Sequence, residues 1–208
     1  QRDRAAAVAK VEAAAAAVAR ARRRAAPGLA KRVTGHLQEL ALAGARIEID
    51  VGDDDPGDDV AMLLASGPGA SPRPVARAAS GGELARTGLA LRLVLTADQP
   101  CLVFDEVDAG IGGEAAIAVG RALAALGRER QVLVVTHLAQ VAAFADAQIG
   151  VSKSIADGAA RSGVGLVEGD DRVVELSRML SGTPDSERVR EAAAELLATA
   201  AAEVGRLR

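Results

Sequence analysis

Two short runs made only of apolar residues, Cys101-Leu102-Val103-Phe104 and Val132-Leu133-Val134-Val135, flank a helix-length stretch at residues 114–127 that stops at Gly127. Strands apolar throughout belong in a sheet covered on both faces. Joined by a helix of this length, they predict a parallel pair with a right-handed crossover. No other feature constrains the fold as much, and it sets the class as α/β. The same spacing brings the residues that follow each run to one edge of the sheet.

That edge is where ligands bind in open parallel sheets, because strand ends and helix N-termini converge there. The first strand delivers Asp105-Glu106 to it and the second Thr136-His137. A carboxylate pair in this position suits two tasks. Asp105 can hold Mg²⁺ and Glu106 can take a proton from an attacking water, while His137 can contact a phosphate or orient that water. Each signal alone is also satisfied by polar residues ending a strand in solvent. His36 lies outside this pattern and reads as structural.

A third candidate precedes the first strand. In Ala79-Ser80-Gly81-Gly82-Glu83-Leu84-Ala85-Arg86 the Ser-x-x-Glu spacing is that of a capping box at the start of a helix over about 82–96. A serine and two glycines at a helix N-terminus also form a site for a phosphate. The two roles are compatible, since the cap uses the side chains of Ser80 and Glu83 while the Gly81 and Gly82 amides stay free.

Residues 1 to about 26 are almost all helix formers, and Val8, Val11, Ala15 and Val18 follow the 4-3-4 spacing of a coiled-coil seam. The pattern starts without a cap at Gln1, as in a fragment whose partner strand lies upstream. A break is predicted at Pro27-Gly28, then a second helix over Leu29–Ala43 ending at Gly44. Alternation over residues 45–51 and the apolar run Val60–Ala65 predict a hairpin around an acidic loop, Gly52–Asp59. That loop fails as a calcium site, because its glycine is out of register and no glutamate closes the frame. It reads as a solvated turn, and Ser66–Pro74 as a linker. After His137 the pattern predicts a helix near 138–144, strands near 147–153 and 161–167, and helices near 171–180 and 185–204, the last capped by Thr183-Pro184.

Composition narrows the function. The 208 residues carry a net charge of −3, two Phe and neither Trp nor Tyr, so the chain as a whole lacks the basic excess and the stacking platforms of a nucleic-acid binder. Any DNA contact needs a local patch or a further segment. Cys101 is the single cysteine and is expected to be buried and inert. Neither a spanning apolar stretch nor a signal sequence is present, and a soluble, intracellular protein is the expectation. The phosphate-cradling pattern G-x-x-x-x-G-K-[ST] is absent, so the chain by itself should not hold ATP tightly.

Taken together, these motifs resemble those of ATP-binding-cassette ATPases in their usual order. "SGGE" resembles the signature motif, "CLVFDE" the Walker B strand, "VDAG" the D-loop and "VVTH" the switch histidine. Glu83 in place of the glutamine common in transporters, with a coiled-coil arm upstream, is similar to the chromosome-maintenance branch. "ASGGELAR", "VFDEVDAGIGGEAA" and "VVTHLAQVAAFAD" followed by "VSK" resemble the C-terminal part of the RecN family of DNA double-strand-break repair ATPases. Ala85 and Ala139 depart from that family's usual Ser and Pro without removing a required chemical group. The missing Walker A is the larger departure.

The resemblance implies the C-terminal lobe of a cassette-type ATPase head, a parallel sheet flanked by helices, with an N-terminal coiled-coil stub. Residues 1–44 would be the coiled-coil exit and connecting helix, and 45–208 the head. It further implies ATP and Mg²⁺ as cofactors, a homodimer sandwiching ATP between heads, DNA as partner of the complete protein, completion by an N-terminal half, and no membrane. Asp105 would be the metal ligand, and Glu106 and His137 the catalytic pair. Ser80, Gly81, Gly82 and Glu83 would meet the nucleotide of the opposite head, and Asp108 would lie in the D-loop crossing the interface. Two alternatives stay open: a non-catalytic dimerisation or DNA-tethering module indifferent to ATP, and a transporter cassette.

Overall fold

A computed structural model of the chain describes residues 1–78, 80–96, 99–105, 107–156, 159–182 and 186–206. It divides into two compact units, Gln1–Ala97 and Asp98–Arg208.

The first unit is built on one 38-residue helix, α1 (Arg2–Glu39). The break predicted at Pro27-Gly28 does not occur: Pro27 lies inside the helix. An interior proline loses a hydrogen bond and crowds the preceding turn. Here Ala26, Val33 and Leu37 on either side of the break are buried, and that packing carries the helix through. Nor does the helix reach Gly44. The amide of Leu42 donates to the Leu37 carbonyl at 2.9 Å while Ala41, not glycine, takes the left-handed conformation (φ 58°), so the chain turns out after Glu39. Gly44 (φ 78°) makes the next turn, where a Cβ would meet Pro68 Cδ at 2.7 Å.

The predicted hairpin is present. β1 (Arg46–Val51) and β2 (Val60–Ala65) pair antiparallel with Ile47 opposite Leu64, and β3 (Arg73–Pro74) adds to β2. Ile47, Leu64 and Ala65 are buried, and β1 packs on α1, where the Ile47 amide donates to Thr34 Oγ1 at 3.1 Å. The acidic loop is more than a solvated turn. Arg23 Nη2 donates to the carbonyls of Gly52 (2.7 Å) and Asp53 (2.6 Å), and Arg22 donates to Pro56 O (3.0 Å) and pairs with Asp58. A short helix, α2 (Val75–Ala78), and then α3 (Gly81–Leu95) complete the unit. α3 packs on α1 and buries Thr87, Leu89, Ala90, Leu93 and Val94. The seam residues Val8, Val11 and Val18 are exposed.

In the second unit β4 (Cys101–Asp105) and β5 (Gln131–Val135) form the expected parallel pair, in register from Cys101 opposite Gln131 to Asp105 opposite Val135. The helix α4 (Gly113–Gly127) joins them. The strands are not covered on both faces. Phe104 is buried, but Val103, Leu133 and Val135 on the alternate face are exposed, since no described element lies over it. Cys101 is exposed as well, contrary to the burial expected from its apolar neighbours, because it starts the strand on that open side.

After the short α5 (Ala139–Ala142), β6 (Gln148–Ala156) and β7 (Ala159–Val167) pair as an antiparallel hairpin. The helices α6 (Gly169–Ser181) and α7 (Glu187–Arg206) follow. The predicted cap at Thr183-Pro184 lies outside the described residues. Small residues let these helices approach closely. Ala139, Ala142, Ala143, Phe144, Leu176, Ala193 and Ala200 form one buried cluster. Gly120 of α4 provides the seat for Phe144, where a Cβ would meet the ring at 2.6 Å. Arg172 ties α6 to the end of α5 by donating to the carbonyls of Ala142, Ala143 and Ala145 at 3.1, 3.3 and 2.7 Å. Arg121 and Glu203 form a two-point pair between α4 and α7 at 2.6 and 3.0 Å.

Candidate functional site

The candidate residues fall into two groups, one in each unit. In the first unit α3 starts as the local sequence predicts: Ser80 Oγ accepts from the Glu83 amide at 3.3 Å, and Glu83 Oε2 accepts from the Ser80 amide at 3.0 Å. The capping box thus holds both side chains. Ser80 remains exposed, and a Cβ on Gly81 would meet no atom within 4 Å, so the backbone at the head of this 15-residue helix is open to an approaching group. The amides there and the helix dipole favour an anion.

Arg86, at the other end of the same motif, has a structural task that the sequence did not announce. It donates to Gly82 O (3.1 Å) within its own helix and to Leu40 O (3.2 Å) and Ala41 O (3.1 Å) at the end of α1. The first turn of α3 is therefore tied to the exit of the long helix. The signal was present only as an arginine at the right helical spacing from Gly82.

In the second unit, Asp105 closes β4 and Thr136-His137 follows β5, so both strand ends reach one edge as predicted. Asp105 is exposed there. Glu106, the predicted general base, lies outside the described residues. Asp108 takes a place that its motif does not reveal. It is only 2% exposed, and its Oδ2 accepts from the His137 amide (2.9 Å), from the Leu138 amide (3.3 Å) and from the Thr136 hydroxyl. His137 Nδ1 lies 3.2 Å from the same oxygen. Burial alone would raise the Asp108 carboxyl, but the bonds from Thr136 and His137, with the attraction of the His137 ring, hold it below its ordinary value.

This carboxylate fixes the turn that carries the histidine. With Nδ1 facing Asp108, Nε2 is the ring nitrogen left for a ligand, and the His137 side chain is 73% exposed. Thr136 was legible only as the residue before His137. Its hydroxyl donates to Asp108 and accepts from the Leu138 amide at 3.0 Å, which closes the network. Among the described residues, no three His, Cys, Asp or Glu side chains come together as a metal site, and no helix is long and apolar enough to cross a membrane.

No protein-family model matches the chain. Its sequence is 48% identical over 202 residues to the DNA repair protein RecN of Streptomyces coelicolor, an alignment covering 88% of this chain and 35% of that protein. It is 46% identical over 206 residues to the RecN of Mycobacterium tuberculosis and 47% identical over 183 residues to that of Deinococcus radiodurans. The chain spans about a third of the length of these relatives. Among solved structures, an SMC head domain with a coiled coil and joint from Pyrococcus yayanosii superposes with a TM-score of 0.59 at 25% identity, covering 82% of this chain and 30% of that one. A structure from work on ATP-driven dimerisation of SMC ATPases superposes equally well, with a TM-score of 0.59 over 72% of this chain and 89% of its own, and at 23% identity it speaks for the fold alone. The α/β architecture is thus that of an SMC-type ATPase head fragment, and the chain belongs to the RecN family, corresponding to a C-terminal part of its members.

Proposed function

We propose that the chain is the C-terminal lobe of an ATPase head that, completed by an N-terminal half, hydrolyses MgATP between two such heads while holding DNA during double-strand-break repair. The observation that carries this reading is the strand-end arrangement: an exposed carboxylate, Asp105, closes one parallel strand, and a histidine whose backbone turn is held by Asp108 and whose Nδ1 lies 3.2 Å from it follows its neighbour. The relatives named above, DNA repair proteins and SMC heads, support it.

The residues present fit MgATP. The open backbone at Gly81 and the exposed Ser80 suit a phosphate, and Asp105, exposed at the sheet edge, suits a hydrated Mg²⁺. ATP with Mg²⁺, when bound, supplies a γ-phosphoryl group activated for attack by water. Ser80, Gly81 and Gly82 would grip the γ-phosphate of the nucleotide held by the opposite head, while Glu83 keeps the helix start rigid. Asp105 would hold the metal, Glu106 would accept the proton of the water, and Nε2 of His137 would contact the γ-phosphate. Asp108 acts through His137: its buried carboxylate holds the Thr136–Leu138 turn, so the histidine meets the phosphate without first being ordered.

Loss of a general base typically costs 10²–10⁴ in rate. In the complete protein Glu106→Gln is therefore expected to bind ATP with little change and to hydrolyse it about 10²–10⁴-fold more slowly in a steady-state phosphate-release assay. Turnover near the parental rate would remove Glu106 from the role of general base, while no ATP hydrolysis by the complete parental protein would overturn the ATPase reading.

A further inference from the structure

Charge is strongly segregated along this chain. The helix α1 carries nine Lys and Arg against three Asp and Glu, a net +6, whereas the whole chain is at −3, which leaves −9 for the remainder. From residue 13 to residue 38 there is no acidic side chain, and six cations stand there: Arg20, Arg22, Arg23, Arg24, Lys31 and Arg32. Two are already used, because Arg22 and Arg23 hold the acidic loop after β1. Arg20, Arg24, Lys31 and Arg32 are exposed.

Their placement around the helix is not random. At about 100° per residue, Arg20, Arg24 and Lys31 fall within an arc of about 40°, on a line about 16 Å long. The buried residues Ala19, Ala26, Val33 and Leu37 lie on the far side of the helix. The exposed apolar seam Val8, Val11, Ala15 and Val18 centres about 180° from the cationic line by the same count. A second helix docked on the seam would therefore leave the line uncovered. The ridge is also unobstructed, since Gly28 and Gly35 beside the line have no neighbouring atom within 4 Å of a built Cβ.

From this we propose that the Arg20–Arg24–Lys31 line of α1 binds the phosphate backbone of a nucleic-acid duplex. Three cations on a straight ridge without carboxylates complement a continuous run of phosphates, and their side chains reach phosphates rather than base edges, so binding is independent of sequence. The placement deepens the DNA-holding part of the function proposed above and does not depend on hydrolysis. It also explains how a chain of net negative charge can meet DNA: the contact is confined to the most basic element, and the acidic remainder disfavours other modes of approach.

The test is fluorescence anisotropy of a labelled 30-base-pair duplex titrated with the 208-residue chain at several salt concentrations, without nucleotide. Three phosphate contacts predict that log affinity falls with log salt at a slope of about −2.7, about −0.9 for each contact. The R20E/R24E/K31E variant is expected to weaken binding at least about tenfold and to flatten the slope. The variant R73E/R77E/R128E, with the same change in net charge, is expected to weaken it by less than about threefold. R20Q/R24Q/K31Q should fall between the parent and the first variant, and it provides the same reading if the three glutamates disturb the helix. The proposal is overturned by an absence of duplex binding in the parent, by equal losses in the two charge-reversal variants, or by binding to phosphatidylglycerol vesicles but not to the duplex. Because no nucleotide is present, these failures leave the ATPase reading standing, and normal turnover by Glu106→Gln in the complete protein leaves this surface standing.

Discussion

Asp108 concentrates more polar contacts on one oxygen than any other candidate residue, and their loss has a calculable direction. Asp108→Ala removes the acceptor of the Thr136 hydroxyl and the His137 amide, while the Leu138 amide keeps its bond to Thr136 Oγ1, at a cost of about 1–3 kcal/mol. Urea denaturation at neutral pH is expected to show that loss, while Asp108→Asn, which keeps an acceptor of the same shape, loses less. The sign of the pH dependence follows from the direction of the shift. The carboxyl is held below its ordinary 3.8 in the folded state, so its stabilisation is complete above that value. As pH falls through the lower, folded value, the carboxylate is protonated and the contribution disappears. A parental stability that declines no more steeply below pH 4 than that of Asp108→Asn would contradict this account.

Among the elements, packing decides against the local signal in two places, the long helix and the close approach of α4 to α5. α1 runs through Pro27 because the residues flanking it are buried against the first unit, a case of tertiary packing overriding a local stop signal. In α4 one missing Cβ decides how near α5 can come. At Gly120 an added methyl would stand 2.6 Å from the Phe144 ring and 3.0 Å from the Gln140 carbonyl. Although alanine is the better helix former, Gly120→Ala is expected to destabilise the chain by about 1–3 kcal/mol through overpacking. Thermal unfolding followed by circular dichroism measures the balance. An increase in melting temperature would mean that propensity outweighs the clash. The strands were legible because alternation and short apolar runs are local signals, whereas the open face of β4–β5 was not, since an apolar strand reads alike whether or not a neighbour covers it.

At the scale of the whole molecule, the second unit presents apolar surface on both of its sheets. Val103, Leu133 and Val135 are exposed on β4–β5, and Ile149, Val151, Val164 and Leu166 on the β6–β7 hairpin, in a chain that spans about a third of its curated relatives. Contiguous apolar surface of this kind marks an interface. The folded chain is therefore expected to enhance the fluorescence of an apolar dye such as ANS and to lose that signal when mixed with the N-terminal half of the complete protein. Persistence of the signal in a formed complex would show that these faces are not what the N-terminal half covers. By itself the sequence determined the α/β class, the parallel pair that delivers Asp105 and His137 to one edge, and the capping box of Ser80 and Glu83. Those features depend on residues a few positions apart, whose spacing fixes hydrogen bonds and sheet faces directly. Tertiary structure alone decided that Asp108 faces His137, that Arg22 and Arg23 hold the acidic loop, and that α1 passes Pro27 unbroken. Each of these joins or is stabilised by groups distant in sequence, and their partnership exists only once burial has brought them within reach and removed the water that would otherwise satisfy them.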